Sequence, residues 1–193
     1  MISGREMARE RAAELAAEMP EISRSLTLEW QDPMAMASKG LELAGLDYMR
    51  AVMNQEVPPP PIAVLMNMAP TEVEEGRAVF SALPGEEHYN PIGVVHGGFM
   101  ATLLDSVAGC AVHTTLALGE AYTTLTLEVK NLRPLTLDTG IVRAEGLVTY
   151  RGRRQATADA KLYAEETGKL LASASSTRSE ERRVGKECVR LCR

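Results

Sequence analysis

The sequence predicts an α+β domain, one long helix laid against an antiparallel sheet, and three observations predict it. The segment Gly97–Leu118 is apolar on nearly every side, which marks a helix buried in a core. After it come four segments with strand-like alternation, and one more precedes it. The connections among the last strands are short, and short connections join antiparallel neighbours.

The elements follow in chain order. Residues 5–19 carry Ala8, Ala12, Leu15, Ala16 and Met19 at helical spacing. Like charges stand four apart on the other face (Arg5/Arg9, Glu6/Glu10, Glu10/Glu14), so this helix needs something to pack on. A second helix is expected from Asp32, a good N-cap, and Pro33, a good first residue, through Met36, Leu43, Leu46, Met49 and Met53. Gly40 and Gly45 weaken it by about 1 kcal/mol each. Pro58–Pro61 is stiff and extended, and the boundary between a helical extension (1–61) and the main domain (62–178) is placed there.

Within the main domain, strands are expected at Arg77–Leu83, Tyr122–Leu132, Ile141–Tyr150, Gln155–Tyr163 and Lys169–Thr177. In the second of these, Leu125, Leu127 and Val129 alternate with Thr124, Thr126, Glu128 and Lys130, the pattern of a half-buried strand. Residues 179–193 lack alternation, hold five basic and three acidic residues, and are expected to be a disordered or foreign tail.

Composition excludes several functions. The chain has 193 residues, 45% hydrophobic and 24% charged, enough to bury a core without disulfides or metal. A net charge of −5 and 4% aromatic residues argue against nucleic-acid binding. Three cysteines form no disulfide framework, and Cys188-Val-Arg-Leu-Cys192 has no further ligand near it, so no metal is expected. No apolar run is long enough for a membrane span, and no secretory signal is read at the N-terminus, so the expected location is cytoplasmic.

The chemistry concentrates in Asn90–Asp105. Asp105 is the one charged residue from Gly97 to Leu118. A lone carboxylate on a core helix is costly unless paired or hydrogen-bonded, so its presence points to a task. At the helix start, Gly97 and Gly98 follow His96 and leave backbone N–H groups open to close approach. Helix N-terminal amides suit a developing negative oxygen. Gly97 and Asp105 are eight residues apart, roughly 12 Å along the axis, so one chain cannot bring both to one reacting centre. Two antiparallel copies of the helix could, which predicts a two-fold dimer with two interfacial sites.

Two stretches resemble a known family. They are Asn90-x-x-Gly-x-x-His96-Gly97-Gly98-x-x-x-x-Leu-x-Asp105 and Thr123-Thr124-Leu-x-Leu-x-Val-x-x-Leu-Arg133-Pro. The pattern is similar to that of hotdog-fold acyl-CoA thioesterases of the phenylacetic-acid-degradation (PaaI-like) type, over roughly residues 62–178. The resemblance implies a sheet wrapped around one long central helix, dimers joined sheet to sheet and often paired into tetramers, and an acyl-CoA substrate with no separate cofactor. It implies that Asp105 is nucleophile or general base and that the Gly97 N–H polarises the thioester carbonyl. His96 and Asn90 would orient carbonyl and water, and Thr124, with Thr123 as rival, would contact the acid. Arg133, Arg153 and Arg154, with Gly98 and Thr123, are the candidate substrate-binding residues. Arginine suits the phosphates of coenzyme A, although Arg133 could instead pin a strand end and the hairpin arginines could be a solvated turn. Rival readings on the same scaffold are an acyl-CoA sensor without catalysis and an enoyl-CoA hydratase or dehydratase. The chain holds no Gly-x-Ser-x-Gly elbow for a serine mechanism.

Overall fold

The computed structural model describes Met7, Glu10 and residues 24–182. Met7 and Glu10 are helical; the rest of the helix expected over 5–19, like Cys188 and Cys192, lies outside the described residues.

Helix α1 (Pro33–Lys39) starts as its sequence requires, with Pro33 in the first turn and Asp32 Oδ1 accepting from the Met34 amide at 2.9 Å. The single helix expected through Met53 is broken. α1 ends at Gly40, and α2 (Gly45–Met53) follows after a turn. The reason is tertiary. The Gly45 N–H donates to Leu116 O at 2.9 Å instead of closing a helical turn, and a Cβ on Gly45 would lie 1.7 Å from His113 O. Only glycine lets α2 seat its backbone there. The proline run stays extended through Pro60, and Pro61 opens an unanticipated short helix, α3 (Pro61–Leu65).

The sheet has six strands: β1 (Met68–Glu74), β2 (Arg77–Ala82), β3 (Glu120–Asn131), β4 (Val142–Arg151), β5 (Gln155–Ala164) and β6 (Leu170–Arg182). Their spatial order is β1-β2-β4-β5-β6-β3, every pair antiparallel. β1 was not foreseen because Pro70 interrupts its pattern. It is an edge strand with a register shift between Pro70 and Glu72, where proline is tolerated. β3, the other edge, is more exposed than its alternation suggests: Leu125 lies at a register shift and is 51% exposed. β6 runs past the expected end at Thr177 to Arg182, into the segment read as a tail, because its backbone continues to pair with β3 (Thr123 with Ser179, Glu120 with Arg182). That stretch is held by ladder bonds rather than by an apolar face, so alternation could not reveal it.

The central helix α4 spans Gly97–His113. It stops short of Leu118 because the Thr114 and Thr115 hydroxyls donate back to Ala111 O (2.6 Å) and Val112 O (2.7 Å) and draw the chain into a turn. Phe99, Met100, Leu103, Leu104, Val107 and Val112 are buried against the sheet. The sheet answers with small residues. Ala156, Ala158, Ala160 and Ala164 on β5, in phase with buried Leu162, and Ala172 and Ala174 on β6 line the inner face and let the helix lie close. This is the expected α+β architecture, a sheet wrapped around one helix.

Candidate active site

Asp105 occupies the middle of α4 between buried Leu104 and Val107, yet its own side chain is 39% exposed. It is not alone, as the sequence suggested. Arg178 of β6, 2% exposed, places Nη2 2.8 Å from Asp105 Oδ1 and 2.7 Å from the Asp105 backbone O. Its Nη1 donates to Thr124 Oγ1, and that hydroxyl donates to Asp105 Oδ1 at 3.3 Å. Oδ1 is therefore held twice, while Oδ2 accepts no hydrogen bond among the described residues. Thr124, not Thr123, makes this contact, and Thr123 lines the cleft beside it.

Arg178 was missed by the sequence reading, although a signal existed. It falls in phase with buried Ala172, Ala174 and Ser176, so a period-two strand must point it inward. Gly109 makes room for it. A Cβ at Gly109, one turn beyond Asp105, would lie 2.9 Å from Arg178 Nη1 and 2.6 Å from the Tyr122 hydroxyl. The Tyr122 ring sits 5.2 Å from the guanidinium carbon, a cation–π contact.

The helix start is built differently from the expectation. His96 is the N-cap, and its Nδ1 accepts from the Gly98 N–H at 2.8 Å. With Nδ1 accepting, a neutral ring carries its proton on Nε2. Gly98 is thus committed within the chain, whereas the Gly97 N–H has no partner among the described residues. Asn90 shapes the preceding loop: its Oδ1 accepts from the amides of Ile92 (3.1 Å) and Val94 (3.2 Å).

The arginines separate into two groups. Arg133 Nη1 donates to Leu170 O at 2.5 Å and ties the end of β3 to β6. Arg153 and Arg154 are exposed in the β4–β5 hairpin and are not brought to the cleft that Asp105 opens into. Of the other histidines, His88 is buried, accepting from the Gly85 amide through Nδ1 and placing Nε2 3.1 Å from Leu65 O. His113 packs between the rings of Tyr48 (5.3 Å) and Tyr122 (5.7 Å), and burial lowers its pKa to about 4.

Asp105, Thr123, Thr124 and Arg178 share a cleft of about 1150 Å³ with Cys110, whose thiol burial pushes up to about 12. Among the described residues, no group of three or more His, Cys, Asp or Glu side chains could hold a metal. No described helix is long and apolar enough to cross a membrane.

Residues 92–171 match the family model described as the thioesterase superfamily. Acyl-coenzyme A thioesterase 13 of Homo sapiens is 30% identical over 103 residues, which cover 53% of this chain and 72% of that protein; the Pongo abelii protein matches equally. The chain belongs to the thioesterase superfamily. A phenylacetic acid degradation-related protein from Ralstonia eutropha JMP134 superposes on this thioesterase with a TM-score of 0.62 and 28% identity, covering 68% of this chain and 98% of that one. The PaaI protein of E. coli shares the fold, with a TM-score of 0.61 at 19% identity, over 73% of this chain and 94% of its own. The thioesterase is therefore a hotdog-fold enzyme of the PaaI type. The matched segment contains His96, Gly97, Asp105 and Thr124 but neither Arg178 nor the helices before β1.

Proposed function

We propose that this thioesterase hydrolyses acyl-CoA to a free acid and coenzyme A, with Asp105 as its acting carboxylate. The observation that carries the reading is the unequal treatment of the two carboxylate oxygens. Oδ1 is fixed by Arg178 and Thr124, which sets the rotamer, and Oδ2 is left to react. Either role open to the group, direct attack on the thioester carbonyl or removal of a proton from attacking water, starts from Oδ2. A tetrahedral oxyanion forms and collapses by breaking the carbon–sulfur bond, and coenzyme A leaves as a thiolate that then takes a proton. Where water attacked, the free acid is formed at once. Where Asp105 attacked, the acyl group is left as a mixed anhydride on Asp105 that a water molecule then hydrolyses to the acid and the restored carboxylate. Thiolate leaves readily, so a carboxylate and an oxyanion site suffice without a serine.

The oxyanion donor in this reading is the Gly97 N–H of a second copy of the chain. Eight residues of helix separate Gly97 from Asp105 in one protomer, roughly 12 Å. The long, exposed edge of β3 supports pairing between copies, since such an edge invites another strand. His96, capping α4, orients the turn that presents Gly97, and Asn90 holds the loop before it. Arg153 and Arg154, exposed in the β4–β5 hairpin outside the cleft lining, are the arginines proposed to meet coenzyme A phosphates, whereas Arg133 serves the strand end.

The test is release of coenzyme A, read with a thiol-reactive dye over acyl-CoA esters from acetyl to dodecanoyl and phenylacetyl, with Asp105→Asn in parallel. Cys188 and Cys192 are first replaced by serine so that they do not react with the dye. Release that disappears in Asp105→Asn is the expected result. Release that survives the substitution would remove Asp105 from the mechanism.

A further inference from the structure

We propose that the N-terminal extension forms the wall of an acyl-binding pocket and that Met53 and Ile62 of this wall set how long an apolar acyl chain the enzyme accepts. The inference rests on Asp105 being the acting carboxylate, because that residue opens into the same cleft. The remainder of the lining comes largely from the extension and the strands beside it: Met49 and Met53 of α2, Val57 and Pro58 before α3, Met68 of β1, and Phe80 of β2. These side chains offer no hydrogen bond and favour an apolar occupant, while Gln31, Gln55 and Glu56 are polar members of the same wall. Methionine is unbranched and polarizable, so a wall rich in it adapts to a flexible chain.

Size and charge narrow the occupant further. The cleft, about 1150 Å³, lies at the upper end of pockets that enclose a whole organic ligand and far exceeds the needs of an acetyl group. A polyphosphate would need cations, but the lining offers only Lys39, with Glu56 also in the lining, and Arg178, which is committed to Asp105. The nucleotide of coenzyme A is therefore excluded from this space, and the acyl end is what fits.

The wall is also fixed in place. Gly45 seats α2 on the end of α4, and a ladder of rings runs from Tyr48 through His113 to Tyr122, which lies against Arg178. The pocket wall and the guanidinium that holds Asp105 are thus in continuous contact. Exposed Ile62 at the start of α3 is the position where added bulk narrows the cleft without disturbing the core; Met53, half-buried at the end of α2, narrows it too but also packs on the core.

The experiment compares kcat/KM for dodecanoyl-CoA with that for butyryl-CoA in the parent enzyme, in Met53→Trp and in Ile62→Trp. Both variants should lower the dodecanoyl-to-butyryl ratio by tenfold or more, with melting temperatures close to the parent's. A ratio that stays within twofold in a folded variant overturns the proposal, including the case in which both substrates fall together. Should Met53→Trp not fold, Ile62→Trp alone decides. If the parent hydrolyses no ester, the catalytic reading of Asp105 fails, and the pocket is judged by calorimetric binding of octanoyl-CoA. Tenfold weaker binding to the variants then sustains the pocket, and equal binding ends it.

Discussion

Arg178 Nη2 lies 2.8 Å from Asp105 Oδ1 and 2.7 Å from the backbone oxygen of the same residue, so one buried guanidinium fixes both the side chain and the helix turn that carries it. Its Nη1 extends the grip to Thr124. Arg178→Lys should then lower kcat by about ten- to a hundredfold while KM changes little. A lysine is a single point charge and cannot reach three oxygens in fixed directions. Gly109→Ala, which crowds Nη1, should act in the same direction more weakly. Steady-state kinetics of the two variants check this; a rise in KM at constant kcat would assign Arg178 to binding instead.

Asp105→Asn and Asp105→Leu should part company in stability. The asparagine oxygen can still accept from Arg178 and Thr124 but carries no charge, so that variant should lose clearly less stability than the leucine one while losing a hundredfold or more in turnover. Leucine leaves the buried guanidinium without its counter-charge and should cost about 3 kcal/mol, the low end for such pairs because the carboxylate is partly exposed. Urea titrations of both variants give the comparison. Equal midpoints would show that the ion pair does not hold the helix to β6.

Mixing two inactive variants tests the cross-subunit site. Gly97→Pro removes the amide proton at a position where proline suits a helix; its Cβ would lie 2.9 Å from Asn131 Nδ2, so that flexible side chain must turn aside, and His96 (φ −60°, ψ 137°) already has the extended backbone that precedes proline. Combined in equal amounts with Asp105→Asn and allowed to exchange, it should restore about a quarter of parental activity. Half of the dimers are then hybrids, each with one intact site. Folded, exchanged hybrids that remain inactive would place both groups in one protomer's site.

His113 gives the enzyme an acid-side dependence of stability. Unfolded, the ring protonates near 6.5; in the fold burial holds this back to about 4. Between those values the unfolded chain binds more protons, so the stability present above pH 6.5 is lost as pH falls, by up to ~3 kcal/mol. His113→Phe preserves the ring contacts with Tyr48 and Tyr122 and should remove that part of the loss. Denaturant unfolding at about pH 7.5 and about pH 4.5 measures it. Parallel pH profiles for parent and variant would count against a neutral buried His113.

The central helix and the strands after it were legible because their burial is one-dimensional: a continuous apolar run for the helix, and alternation on β4 and β5. Pro70 masked β1, since only knowledge that the strand lies at an edge makes a proline there acceptable. The break between α1 and α2 was illegible because Gly45 answers to Leu116, far along the chain. Asp105, Gly97, His96 and Thr124 were nominated by motif and spacing. Arg178 was passed over because the strand holding it was expected to end one residue earlier. The cleft could not be read at all: which way Met49 and Met53 face depends on how α2 docks, and no local pattern encodes that.

α2, α3 and the prolines between them line the cleft, yet none of them donates or accepts a hydrogen bond at Asp105, Thr124 or Arg178, and all precede the segment matched by the superfamily. The stretch of gene before residue 68 thus encodes much of what surrounds the cleft and none of what reacts within it. A recombination or a run of substitutions before residue 68 can recut the chamber while the reacting carboxylate keeps every partner it has. Diversification in such a chain is modular, and a laboratory seeking new selectivity would begin by shuffling the first third of the protein.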